Sequence, residues 1–179
     1  MNYFEVVWQP NGDASQMARP LGHGREITRR LADPGIVADP PDLKWVWGSP
    51  NHPPGDIVAE RNGLRLVSPK VRDILEAHRT PQDALQWIPG TVITPDGSEH
   101  PHWVAHFPEH YELLDRRRST FGPSGIAMLI VLSAAKVAPH AVALMSRYSF
   151  TFLLAEQVVE GLQSAGCRGL LYMRVPIAP

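Results

Sequence analysis

The sequence predicts an α+β fold: mainly antiparallel sheet with two or three helices, entered through an irregular N-terminal wrap. Three observations carry this. Short β-compatible runs alternate with turn signals such as Pro95-Asp96-Gly97. Two later stretches, starting near Pro69 and Ala155, repeat apolar residues at helical spacing. From Gln9 to about Gly55 the chain reads RPLGHG, ADPGIVADPP and GSPNHPPGD, and proline there fixes φ, removes donors and leaves little room for long elements.

In chain order, the first element is a strand at Tyr3 to Trp8. Within the wrap, Arg25 to Leu31 is a weaker helix signal, and Trp45 and Trp47, two apart, fall on one face of an extended piece and pin the wrap to the core. Ser68 followed by Pro69 starts a helix, because the serine oxygen caps free N–H groups and proline at the first helical position sacrifices no hydrogen bond. Val71, Ile74, Leu75 and His78 make its stripe, so it runs from Pro69 to about His78 and ends before Pro81. A strand over Leu85 to Thr94 follows, with Pro89 and Gly90 marking an edge or a bulge. The Pro95-Asp96-Gly97 turn returns it as HPHWVAHF.

Alternation places Trp103, Ala105 and Phe107 on the core face of that returning strand. His100, His102, Val104 and His106 fall on the opposite, wet face. Tyr111 to Leu114 is a short strand. Ala127 to Leu132, AMLIVL, is a continuous apolar run of the kind found in a strand covered on both faces. Val142 to Tyr148 and Phe150 to Leu153 form one kinked strand or two. Val158, Val159, Leu162 and Ala165 give a helix from about Ala155 to Ala165, with Gly166 at the left-handed position after it. Its start lacks a polar cap, worth about 1 kcal/mol, but burying each Val or Leu contributes about 1.5–3 kcal/mol, so packing wins. Gly169 to Val175 is the last strand.

At 179 residues the chain fits a single domain, 1–179, with an irregular part at 1–55 and the main body at 56–175. Seventeen basic and eighteen acidic residues give a net charge of −1 without a block of either sign, unlike a dedicated nucleic-acid binder. One cysteine, Cys167, excludes an internal disulfide and a Cys-rich zinc site. The start MNYFEVVWQPNGD has no export-signal pattern, and Ile126 to Ala135 is shorter than the ~20 apolar residues of a membrane span. A soluble, cytoplasmic protein is expected.

Chemistry-bearing motifs are sparse. The chain lacks GxSxG, GxxxxGK, HExxH and CxxC. Four of its eight histidines lie between His100 and His110, so a small metal-dependent hydrolase using that cluster, with His102 and His106 as ligands, is one alternative. Arg116, Arg117 and Arg118 offer a phosphate or nucleic-acid contact as another, set against a solvated end neutralised by Glu112 and Asp115. Cys167 follows a helix C-terminus, where the dipole disfavours a thiolate.

The order GLRLVSPKVRDILEAH, LQWIPGTVI, HYELLDRRRSTF and FTFLLAEQVVEGLQSAGCRGLLYMRV resembles a family of bacterial immunity proteins found beside polymorphic toxins. That family was first described in a myxobacterium and long catalogued as a domain of unknown function. The resemblance spans roughly Asp56 to Val175 and rests on Leu66, Val67, Ser68 with Pro69, Trp87 to Pro89, Tyr111, Asp115, Ser119, Leu162, Gly166, Gly169 and Leu170. It departs at Ala155, where relatives place a capping Ser or Asp. It implies a cytoplasmic antidote in interbacterial competition, binding a cognate toxin encoded by a neighbouring gene. No catalytic residue, cofactor, membrane or nucleic acid is implied. Nanomolar binding, about −12 kcal/mol, needs a few desolvated anchors, for which Trp45, Trp47, Arg116, Arg117 and Arg118 are the candidates.

Overall fold

The computed structural model describes residues 1–8, 17–22, 25–60, 64–145 and 151–179. The fold is α+β, and its sheets are mostly antiparallel. Among the described residues no helix is long and apolar enough to cross a membrane.

Strand β1 (Tyr3–Trp8) opens the chain and the first sheet. The N-terminal part then supplies β2 (Ala18–Leu21), α1 (Arg25–Ala32) and β3 (Leu43–Trp47). It is thus less irregular than its proline content suggests: the prolines fall mainly between these short elements, leaving runs such as LKWVW free to pair. β4 (Ile57–Ala59), β5 (Arg65–Val67) and α2 (Pro69–His78) follow, then the hairpin of β6 (Gln86–Ile93) and β7 (Glu99–His106). β8 (Thr120–Phe121) and β9 (Ala127–Leu129) form a separate ribbon. β10 (Leu132–Ser133), α3 (Ala134–Val137), β11 (Val142–Leu144), β12 (Phe152–Ala155), α4 (Glu156–Ser164), β13 (Leu170–Val175) and β14 (Ile177–Ala178) complete the chain. The expected strand at Tyr111–Leu114 is reduced to isolated bridges from Tyr111 to Met145 and Leu114 to Leu132. Part of the expected strand after Val142 lies outside the described residues.

The first sheet has the order β11-β12-β1-β13, all antiparallel, so the opening strand sits between two C-terminal ones, with Tyr3 opposite both Ala155 and Val175. The second has the order β2-β3-β6-β7-β5-β4, with β3 and β6 parallel. Side chains alternate across it into two separate cores. Val67, Ala105 and Phe107 join the larger core with Val71 and Leu75 of α2, Val158, Val159 and Leu162 of α4, and the first sheet. Leu66, Ile88, Val92 and Val104 face the other way, against Leu31 of α1, Val37, Trp45 and Trp47.

Local signals explain the helices. Ser68 accepts from the Val71 N–H at 3.4 Å and Pro69 occupies the first turn. The Ser68 hydroxyl also donates to Asp56 at 3.0 Å. Burial alone would raise the Asp56 carboxyl, but the Arg168 backbone N–H, Ser68 and Lys70 outweigh it and hold it below its usual range. Ala155, the residue that caps α4, offers no side-chain cap; the Glu156 N–H instead donates to the Asn2 carbonyl at 3.0 Å, so the residue preceding β1 completes the helix end. Gly166 closes α4 with φ +63°, and at Gly169, φ +86°, a Cβ would stand 2.8 Å from the Ile57 carbonyl oxygen.

Two expectations are corrected. β6 is an interior strand without a bulge, and only its first half, up to Pro89, has an edge on the β3 side. The parallel ladder to β3 starts at Gly90, so Pro89 is asked for no rung there, and Gly90 lacks a side chain because the Trp45 ring occupies that space. The second correction concerns β7. Its supposedly wet face is covered by the N-terminal part, and both His102 and His106 are buried.

Candidate functional site

The segment Leu113 to Ser133 leaves the larger core, turns, and comes back. At its base the Asp115 N–H donates to the Val131 carbonyl at 2.8 Å and the Ser133 N–H to the Leu113 carbonyl at 2.9 Å. Ser119, buried, bridges the two legs: its hydroxyl donates to the Val131 carbonyl and accepts from the Val131 N–H, both at 3.1 Å. Lys136 donates to the Leu114 carbonyl at 3.0 Å. Asp115 organises the turn above this base, because its Oδ1 accepts from the N–H groups of Arg117 at 2.9 Å and Arg118 at 3.3 Å, and its carbonyl from Ser119 at 2.9 Å. Asp115 and Ser119 are therefore the structural staples of this segment.

With its backbone satisfied, the turn projects Arg116, Arg117 and Arg118 into solvent. Arg116 leans on Glu112 at 3.4 Å, an exposed pair worth about 0–1 kcal/mol. Among the described residues the side chains of Arg117 and Arg118 enter no ion pair.

Beyond the arginines, β8 and β9 pair Thr120 with Leu129 and Phe121 with Ala127 across a bulge, and Gly125, φ +77°, turns the apex. Ile126, Met128 and Leu129 are 58%, 78% and 50% exposed, and Phe121 is 37% exposed. Four of the nine large apolar side chains exposed among the described residues thus lie between positions 121 and 129. The run AMLIVL does not form a strand covered on both faces: Ala127 and Ile130 pack half-buried against the larger core and Leu132 is buried in it, but Met128 and Leu129 lie open, because among the described residues β9 pairs with β8 alone. The sequence carried the signal, a triple arginine beside the most apolar run of the chain, but periodicity assigns such a run to the interior.

The other anticipated residues lie elsewhere. Trp45 and Trp47 are buried in the smaller core and present no surface for an anchor; their burial confirms that they pin the N-terminal part. Ser68, Pro69, Gly166 and Gly169 are the helix and turn positions described above.

The four histidines are not brought together. His102 Nδ1 and Nε2 lie 3.2 Å and 3.3 Å from the His100 and Gly55 carbonyl oxygens, and those of His106 lie 2.9 Å and 2.6 Å from the Leu31 and Gly35 oxygens. Each buried ring faces a backbone carbonyl oxygen on both sides, and a neutral imidazole has one N–H to give to one of them; four residues of strand separate the two rings by ~13 Å. His100 borders an open cleft of about 530 Å³ with His52, Asp96 and three prolines. Among the described residues no group of three or more His, Cys, Asp or Glu is placed to hold a metal. Burial lowers His102 and His110 and raises the Cys167 thiol.

One polar constellation has no signature in the sequence. Asp83, fully buried, accepts from His140 Nδ1 at 3.1 Å and from the backbone N–H groups of Thr80, Ala141 and Val142 at 2.8–3.1 Å. The His140 ring lies 4.2 Å from that of Tyr111. With its oxygens occupied by backbone, Asp83 joins two loops whose sequence separation, 57 residues, hides the pair. No family model matches the chain, and no curated protein matches it.

Proposed function

We propose that this chain is an immunity protein, which binds a cognate toxin stoichiometrically and neutralises it without turnover. The observation that carries the reading is the arm between Asp115 and Val131, where three arginines and four exposed apolar side chains share one braced projection. Arginine and large apolar side chains are what interfaces use as anchors, and a contiguous exposed apolar patch marks an interaction surface. Holding the turn rigid before binding removes part of the ordering cost that otherwise subtracts from affinity. The resemblance over Asp56 to Val175 points to the same class. The cytoplasm, where such an antidote meets its toxin, is the proposed location.

Co-expression of the chain with the toxin encoded by the neighbouring gene tests this. Growth is restored and the two proteins copurify in equal amounts. Growth restored without any complex would point to an enzymatic antidote and remove the stoichiometric reading.

A further inference from the structure

Resting on the immunity reading, we infer that the arm docks into a protein surface built as an apolar slot rimmed by carboxylates, with Arg117 and Arg118 on the rim and the β8–β9 ribbon in the slot. The division follows from position. The two guanidinium groups leave a turn whose N–H groups are already taken by Asp115, so each arrives with its donors free and its backbone fixed. A guanidinium presents a planar fork that matches a carboxylate bidentately. Met128 is the most exposed side chain of β9 and Ile126, also exposed, immediately precedes that strand; a Cβ at Gly122 would stand 3.4 Å from the Met128 sulfur, so the thioether lies near the other leg of the ribbon. A two-stranded ribbon is marginal alone in water, and these short strands pair with nothing else among the described residues. A protein slot supplies the missing cover.

Two other partners fit less well. A phosphate backbone matches the arginines but leaves Ile126, Met128 and Leu129 bare, and the chain has no basic excess. A bilayer favours apolar side chains at the leading tip, whereas the apex here is Gly122-Pro123-Ser124-Gly125, with the apolar groups along the flanks.

The test measures affinity for the toxin by titration calorimetry, with growth rescue in parallel, for the full chain and two double variants. Arg117→Glu with Arg118→Glu lowers affinity by about 100-fold and abolishes rescue, since each reversed charge faces a carboxylate. Ile126→Ser with Met128→Ser lowers it by about 10-fold. Both variants keep the wild-type urea midpoint. If both bind and rescue like wild type, the arm inference falls and the immunity reading stands. If the wild-type chain neither binds nor rescues, both fall. Sedimentation with vesicles of equal parts phosphatidylcholine and phosphatidylglycerol, lost in the variants while toxin affinity is unchanged, would overturn the inference in favour of a lipid surface.

Discussion

β7 and β9 invert the usual relation between composition and burial. β7 carries three histidines in eight residues, and two of them are buried. β9 is Ala-Met-Leu, and two of its three side chains lie open. What separates them is the rest of the chain. α1 and the segment after it lay Leu31 and Val37 over the second face of β7 and offer carbonyl oxygens to His106, so the polar rings enter the interior with partners. In β9 only Ala127 packs against the larger core, and among the described residues no layer covers Met128 and Leu129. Burial is set by topology, and the polar atoms it encloses are tolerated because they are hydrogen-bonded.

Removing a partnered ring from β7 is the strongest way to break this contrast. His106→Ala opens a cavity and removes the ring N–H that donates to a backbone carbonyl oxygen of Leu31 or Gly35, and the expected loss is about 2–4 kcal/mol in urea unfolding. His100→Ala, beside the open cleft on the same strand, changes stability by less than about 0.5 kcal/mol. Equal effects at the two positions would show that His106 is not a structural group.

A smaller loss tests the layer that covers β7. A Cβ at Gly90 would collide with the Trp45 ring and stand 2.9 Å from the Leu43 carbonyl oxygen. Gly90→Ala therefore forces β3 away from β6, and overpacking of this kind costs about 1–3 kcal/mol. A lower urea midpoint, with tryptophan fluorescence moved toward the solvated signal, is expected. An unchanged midpoint would mean that β3 shifts freely.

The strands and helices with local punctuation were legible from the residues. Ser68-Pro69 gives the start of α2, Pro95-Asp96-Gly97 gives the hairpin, and Gly166 gives the end of α4, because each position is fixed by φ or by a cap a few residues away. The arginine cluster and the Asp115 and Ser119 staples were legible as well. What escaped depends on partners far along the chain. Pattern alone leaves one face of β7 wet, since nothing within it announces that α1, some 75 residues earlier, covers His106. The same limit hides the exposure of Met128 and the Asp83–His140 pair: an apolar run signals burial only if another layer arrives to bury it.

The contrast also has a pH signature. Burial makes His102 harder to protonate than in the unfolded chain, despite its two carbonyl neighbours. The unfolded state therefore takes up the proton first as pH falls, so the stability that His102 contributes is complete above its ordinary value and is lost on acidification. His102→Gln flattens the fall in urea midpoint between about pH 7 and 5, leaving a residual slope from His110, which burial also lowers. An identical slope in the variant would place the titration elsewhere.

The smallest expected effect is at the other pole. Met128 is 78% exposed, so Met128→Ser removes apolar surface that folding never buried, and the urea midpoint stays within about 0.5 kcal/mol of wild type. Were the side chain part of a packed layer, its loss would reach about 1.5–3 kcal/mol. A near-zero change here, beside the loss at His106, means that the exposed Met128 of this apolar run does not hold the fold together, and a binding role is then what accounts for its exposure.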